Sequence, residues 1–350
     1  MSWKQTNFVD FITLQRGFDL PKSQLRDGEV PVLGSNCVIG YHELAKANPP
    51  GVVTGRSGTL GLVQYIDVPY WPHNTALWVK DFKHNFPKYV YYKLVTLHLE
   101  NFNGGASVPT LNRNVLDTLP LIIPDYKIQT RIANILTTYD DLIENNRRRI
   151  ELLEQAARLL YQEWFVHFRF PGHEYVKIVD GIPEGWERKT LGECGTLNYG
   201  KALHTDNRIG GQYPVYGSSG VIGTHEQALV KGPGIIIGRK GTIGSVYWSH
   251  SDFWPIDTVY FINSDQTNYY LYYVLLNTAF INTDVAVPGL NRDFAHSRQF
   301  LIPGDKLLNH FNDQIIPIHN QISKLHEYNR KLAQSRDLLL PKLMSGEIAA

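Results

Sequence analysis

The chain is written twice. At a constant offset of 183 residues Trp3 meets Trp186, Gly17 meets Gly200 and Gly28 meets Gly211. Pro31-Val32 meets Pro214-Val215, Gly34-Ser35 meets Gly217-Ser218, and His42-Glu43 meets His225-Glu226. The longest match sets Gly55-Arg56-Ser57-Gly58-Thr59-Leu60-Gly61 against Gly238-Arg239-Lys240-Gly241-Thr242-Ile243-Gly244. The offset slips to 179 where Val108-Pro109-Thr110-Leu111-Asn112-Arg113 meets Val287-Pro288-Gly289-Leu290-Asn291-Arg292. It returns to 183 at Glu144-Asn145-Asn146-Arg147 and Glu327-Tyr328-Asn329-Arg330. Chance does not hold one offset over so many positions, so the fold must be two copies of one unit.

Each copy divides in the same way. A globular unit spans 1–124, a helix 125–170, a second globular unit 171–304 and a second helix 305–350. Inside the globular units, short β-branched runs alternate with Gly- and Pro-rich turns, the mark of strands. Val52-Val53-Thr54 and Ile235-Ile236-Ile237 read as buried strands entering the Gly-Arg loop. Leu62 to Ile66 and Val246 to Trp248 read as strands leaving it. Apolar spacing predicts helices over Lys88 to Asn101 and Asn268 to Asn282. Leu119 to Ile123 and Phe300 to Ile302 close each unit as a last strand before a proline.

Between Tyr126 and Phe170 there is neither Gly nor Pro. Ile132, Leu136, Tyr139, Ile143, Asn146, Ile150, Leu153, Ala157, Leu160 and Trp164 alternate in steps of four and three. That is a heptad seam, and the helix carrying it would be roughly 60 Å long. Such a seam needs a partner helix. The second copy supplies one through Phe311, Ile315, Ile318, Ile322, Leu325, Asn329, Leu332, Arg336, Leu339 and Leu343. Pro317 falls inside that pattern and should kink the helix or mark its start. Asn146 and Asn329 either sit in the seam and fix its register or face solvent where the seam drifts. The expected class is α+β: two repeated mixed α/β units, with two long helices in an antiparallel coiled coil closing about a pseudo-twofold axis.

Several function classes are excluded by what is missing. Two cysteines, Cys37 and Cys194, make neither a disulfide framework nor a Cys-rich metal site, and they fit a reducing cytosol. The start, Met1-Ser2-Trp3-Lys4-Gln5, is polar rather than a signal peptide, and no apolar run approaches the about 18 residues of a membrane span. A cytoplasmic location without membrane contact is expected. A net charge of +1 argues against binding polyanions by bulk charge and leaves room for a local basic surface.

The Gly-Arg-x-Gly-Thr-x-Gly loop offers backbone N–H groups, an Arg and a Thr to phosphate oxygens, or else is a structural hairpin whose glycines make tight turns. It is neither a Walker A loop nor a dinucleotide fingerprint. Asn48-Pro49-Pro50-Gly51 lacks the aromatic residue that an amino-methyltransferase needs to stack on a flipped base. No metal-dependent nuclease arrangement, zinc spacing or nucleophile elbow stands out. His42-Glu43 and His225-Glu226 read as structural pairs. Arg147-Arg148-Arg149 is a solvated helix face or a docking or phosphate-contacting surface.

Further stretches are distinctive: Pro183-Glu184-Gly185-Trp186, the segments Leu111-Asn112-Arg113 and Leu290-Asn291-Arg292, Gln162-Glu163-Trp164-Phe165, and the run from Arg336-Asp337 through Leu340-Pro341-Lys342-Leu343 to Ser345-Gly346-Glu347-Ile348. On these residues and the paired Gly-Arg loops, the chain resembles the specificity subunits of type I restriction-modification systems over essentially its whole length. The first unit departs from the pattern in keeping only Trp3 of the Pro-x-Gly-Trp opening. The resemblance implies two target-recognition domains, each reading one half of a split double-stranded DNA sequence, with helices as spacer and docking surface. It implies two methyltransferase subunits that methylate adenine and two restriction (motor-nuclease) subunits as partners. S-adenosylmethionine, ATP and Mg would belong to those partners, with no cofactor or chemistry in this chain.

If the halves read different bases, residues common to both units cannot supply the difference. The shared pairs Arg56/Arg239, Thr59/Thr242 and Arg113/Arg292 should serve the fold or the phosphate backbone. Base reading should fall where the units differ: 18–27 against 201–210, 41–50 against 224–233, 64–70 against 247–253, and 101–107 against 280–286. Suitable donors and acceptors are Asn36, Ser57, Asn74 and Asn103 in the first unit and Ser219, Lys240, Asp257 and Asn282 in the second. The other readings are a non-DNA adaptor whose coiled coil assembles other proteins, which the near-neutral charge suits, and an enzyme in its own right, which the missing motifs disfavour.

Overall fold

The computed structural model describes residues 3–104, 108–280 and 289–350. The chain forms two compact units, Met1–Asn145 with Tyr328–Ala350, and Asn146–Glu327. Both boundaries fall inside long helices, so each unit holds one globular region and part of each helix.

In the first unit the strand Gly51–Gly55 is buried along its whole length, as its Val52-Val53-Thr54 centre requires. It lies inside a four-stranded antiparallel sheet, between Ala76–Asp81 and Val63–Ile66, with Thr13–Arg16 on the outer edge. A second sheet sets Val30–Leu33 between Val38–His42 and the short Trp71–Pro72. Trp3–Asn7 pairs with Pro120–Pro124. The second unit repeats every pairing. Gly234–Gly238 lies between Val259–Ile262 and Val246–Ser249, with Asn198–Tyr199 outermost. Tyr213–Gly217 lies between Gly220–His225 and Trp254–Pro255, and Glu187–Thr190 pairs with Gln299–Ile302.

The shared glycines explain why the repeat is so legible. A Cβ on Gly55 would lie 1.9 Å from the Thr59 carbonyl oxygen, and one on Gly238 2.1 Å from that of Thr242. Neither close approach admits a side chain, so both copies keep glycine.

The helices between the strands are shorter than their apolar spacing predicts. In the first unit the α-helix is Pro87–Val95, and a separate 3₁₀ turn covers Leu99–Phe102. His98 interrupts them with a left-handed backbone, φ 49°. In the second the helix is Tyr269–Leu276; Asn277 closes it, its side-chain amide donating to the Tyr273 carbonyl at 2.8 Å. Residues 281 and 282 of that expectation lie outside the described residues.

The central helix runs Tyr126–Tyr161 and ends in a π turn, Gln162–Val166. The C-terminal helix runs Asp305–Ser345. It starts well before Pro317, so that proline does not mark its start; it is carried within the helix. Every seam position in both helices is buried or half-buried, Asn146 and Asn329 included. Arg147, Arg148 and Arg149 are exposed. Pairing is antiparallel within each unit. In the first, Asp140 meets Arg336 and Ile143 meets Asn329. In the second, Ile150 clusters with Ile322 and Leu325, while Tyr161, Trp164 and Phe165 surround Phe311.

Candidate nucleic-acid interface

In each unit the Gly-Arg loop gathers three other segments. Arg56 N and Ser57 N both donate to the Thr75 carbonyl, at 2.8 and 3.1 Å. Arg239 N and Lys240 N donate to that of Thr258, at 2.9 and 3.0 Å. The loop's own carbonyl takes in the Leu-Asn-Arg segment: Leu111 N donates to Arg56 O and Leu290 N to Arg239 O, each at 2.8 Å. Gly58 N is spent on Pro109 O at 3.0 Å. These amides face inward, which leaves them unavailable to cradle phosphate.

The hairpin turn joins the same cluster. In the second unit Thr242 N donates to Ser218 Oγ at 3.4 Å, and Ser245 Oγ donates to Ser218 O at 2.6 Å. Ser219 and its counterpart Asn36 are exposed at the turns. The structure therefore brings Asn36, Arg56, Ser57, Thr59, Asn74 and Arg113 into one loop cluster, and Ser219, Arg239, Lys240, Thr242, Asp257 and Arg292 into its counterpart.

The shared arginines act alike. Arg56 Nη1 donates to the Asn74 carbonyl at 3.2 Å, and Arg239 Nη1 to the Asp257 carbonyl at 2.9 Å. Arg113 Nη1 donates to Leu14 O at 3.2 Å. Arg56 and Arg239 each fasten one loop to the next, Arg113 ties its segment to the edge strand Thr13–Arg16, and each guanidinium keeps other N–H donors. Asn103 is also engaged: its Oδ1 accepts from Thr110 N at 3.1 Å. Asn282 lies outside the described residues.

Two exposed features were not singled out by the repeat. In the first unit Arg16 Nη2 pairs with Asp19 Oδ1 at 3.1 Å, and the Asn74 side-chain amide donates to the same oxygen. That amide first, and then the charges of Arg16, His73 and Arg56, hold the Asp19 carboxyl below its ordinary range. In the second unit the guanidinium carbons of Arg239 and Arg292 lie 5.0 and 5.2 Å from the ring centre of Tyr199. The signal available was the glycine after each, since Arg16 and Tyr199 directly precede the paired Gly17 and Gly200.

The His-Glu pairs are structural. His42 and His225 are buried against Trp71 and Trp254, with ring centres 4.9 and 5.3 Å apart, and His42 Nδ1 accepts from Leu44 N at 2.9 Å. Among the described residues no group of three or more His, Cys, Asp or Glu is placed to hold a metal ion. The cluster can donate, accept and stack, which are the means of recognition rather than of bond cleavage.

A family model described as the type I restriction modification DNA specificity domain matches residues 2–155 and 183–291. The chain belongs to that family. The two matched stretches correspond to the two copies of the repeat. Within the family, the MjaIX specificity subunit of Methanocaldococcus jannaschii is 26% identical over 297 residues, 75% of this chain and 69% of that one. The HindI specificity subunit of Haemophilus influenzae is 24% identical over 348 residues, with 74% of each chain covered. Among solved structures, the S subunit of a type I restriction-modification system from M. genitalium matches with a TM-score of 0.64, covering 98% of this chain and 96% of that one at 17% identity. That likeness is one of fold. As a member of the specificity-domain family, this chain is a DNA-recognition component without catalysis of its own.

Proposed function

We propose that this chain is the specificity subunit that gives a type I restriction-modification complex its DNA target. Each loop cluster reads one half of a bipartite duplex sequence, and partner methyltransferase and restriction subunits act on adenine and on the DNA strands. The observation that carries the reading is the duplicated cluster: one scaffold built twice, with shared residues fastening the loops and differing residues such as Asn36, Ser219 and Asp257 exposed on them. Two readers of different sequence on a common frame have this form.

In this reading Arg56, Arg239, Arg113 and Arg292 order the loops and turn remaining donors to phosphate. Thr59 and Thr242 flank the backbone, while Asn36, Ser57 and Asn74, with Ser219, Lys240 and Asp257, lie nearer the bases. The partners are two methyltransferase subunits, which bring S-adenosylmethionine, and two restriction subunits, which bring ATP and Mg chemistry. Among the described residues no helix is long and apolar enough to cross a membrane. In this reading the chain works in the cytoplasm beside its DNA.

The test is to express the chain with its methyltransferase partner and sequence the modified bases. The expected result is methylated adenine in a split motif that disappears when this chain is omitted. A methyltransferase that binds the chain yet modifies DNA identically without it would overturn the proposal in favour of a protein adaptor.

A further inference from the structure

The shared arginines do not distinguish one half-site from the other, so the distinction must come from positions that the fold places identically and the sequence fills differently. Residues 16 and 199 meet that condition most sharply. Arg16 ends the edge strand Thr13–Arg16 opposite Leu77, and Tyr199 ends Asn198–Tyr199 opposite Tyr260. The next residue is a glycine in both copies. A Cβ on Gly17 would lie 2.1 Å from the His73 carbonyl oxygen, and one on Gly200 2.0 Å from that of Ile256. The chain is thus clamped against the neighbouring loop at the same point in each unit.

What sits at that point differs in chemistry. Arg16 is exposed, and its side chain is held from one side by Asp19, whose carboxylate is itself fixed by the Asn74 amide. An exposed carboxylate gains nothing from a phosphate backbone. Its use on a DNA-facing loop is to aim a guanidinium, or to accept from a base amino group. Tyr199 is 51% exposed, with Arg239 and Arg292 against its ring. A phenol ring lacks the paired donors that match guanine, and offers an apolar face and one hydroxyl instead. Ala202 stands where the first unit has Asp19, and Asp257 where it has Asn74.

We infer that position 16/199 is a specificity determinant: Arg16, aimed by Asp19 and Asn74, reads a guanine in one half-site, and Tyr199 makes the other half-site differ at the matching position. This rests on the proposed role as a specificity subunit.

The experiment methylates a randomised duplex library with the full chain and its methyltransferase partner, then sequences the modified products. With Arg16→Ala, one half-site should lose its preference for one G·C pair by about ten- to a hundredfold, while the other half-site stays unchanged and serves as the control for folding. Asp19→Ala should relax the same position more weakly. Tyr199→Ala should alter only the other half-site. An Arg16→Ala protein that keeps the full motif and methylates uniformly more slowly would overturn the inference and make Arg16 a phosphate contact. A wild-type complex without any defined motif would overturn the specificity reading itself.

Discussion

Asn329 reaches from the C-terminal helix to the central one, its side-chain amide donating to the Ile143 carbonyl at 3.3 Å. The acceptor is an interior helical carbonyl with an intrahelical partner of its own, so the bond adds cross-helix direction rather than rescuing an orphan. A polar residue in a largely apolar seam selects register at some cost in stability. Asn329→Leu should therefore leave stability unchanged or raise it by about 1 kcal/mol. Hydrogen exchange around residues 140–146 and 329–336 should become faster and heterogeneous. A clear fall in melting temperature with uniform exchange would show that the amide serves stability instead.

Two turns further along the same seam, Arg336 Nη1 meets Asp140 Oδ1 at 2.5 Å, and the Tyr92 hydroxyl donates to Asp140 Oδ2 at 2.5 Å. This one carboxylate ties the globular part of the first unit to both helices. The side chains of Arg336 and Asp140 are half-buried, 28% and 30% exposed. Asp140→Ala strips a half-buried guanidinium and a phenol of their shared acceptor, at an expected cost of about 1–3 kcal/mol. Arg336 keeps Asp337 at 2.8 Å, which limits the loss. Urea unfolding of the variant checks it; a change under about 0.5 kcal/mol would put the pair among ordinary surface contacts.

Much of this architecture could be read from spacing because the repeated residues are the ones geometry constrains. Gly55 and Gly238 recur since a Cβ would strike a carbonyl, and the seam recurs since its period matches a paired helix. The limits of the Pro87–Val95 helix were not legible, because His98 stops it by a left-handed backbone that apolar spacing does not encode. The role of Arg56 was only half legible. Its loop was evident, but its partner is the carbonyl of Asn74, and sheet pairing alone brings that segment near. Asn103 looked like a free amide until folding placed Thr110 N against it. Tyr199 was not legible because it lies just before the differing segment 201–210, and only the fold sets Arg239 and Arg292 against its ring.

The second unit carries a pH dependence. His319 is buried, with Nε2 2.8 Å from the Tyr273 hydroxyl and its ring stacked on Tyr269 at 4.1 Å. Burial, and then the charge of nearby His250, push its pKa down to about 4. Burial followed by His326 lowers His250 as well. Glu154, Arg158, His326 and Tyr272 line the same cleft. The unfolded chain takes up a proton near pH 6.5, whereas the folded one resists until about pH 4. Stability from neutral His319 is therefore complete above pH 6.5 and is lost as pH falls toward 4, by up to about 3 kcal/mol. His319→Gln, which can still bond to Tyr273, should flatten the melting-temperature profile between pH 7 and 4.5. An unchanged slope would assign the acid sensitivity elsewhere.

The shared arginines offer the sharpest separation of scaffold from DNA contact. A guanidinium has five N–H donors, and the structure spends one of Arg56 on Asn74 O and one of Arg239 on Asp257 O. Alanine removes the loop tie and the charge together, so its effect is ambiguous. Glutamine removes the charge and, at Arg239, the stacking on Tyr199, but keeps a shorter amide donor on the same stem. Arg56→Gln and Arg239→Gln should each melt close to the wild type and keep the methylated motif, because both halves share these residues. Each should lower the slope of log affinity against log salt by about 1, the contribution of one released counterion. Alanine at either site should add a loss of loop order, seen as faster exchange at Leu111 N or Leu290 N, whose acceptors are Arg56 O and Arg239 O. An unchanged salt slope in the glutamine variants would make these arginines scaffold alone. A changed base preference would move them among the readers, against the reasoning that residues common to both units cannot tell two half-sites apart.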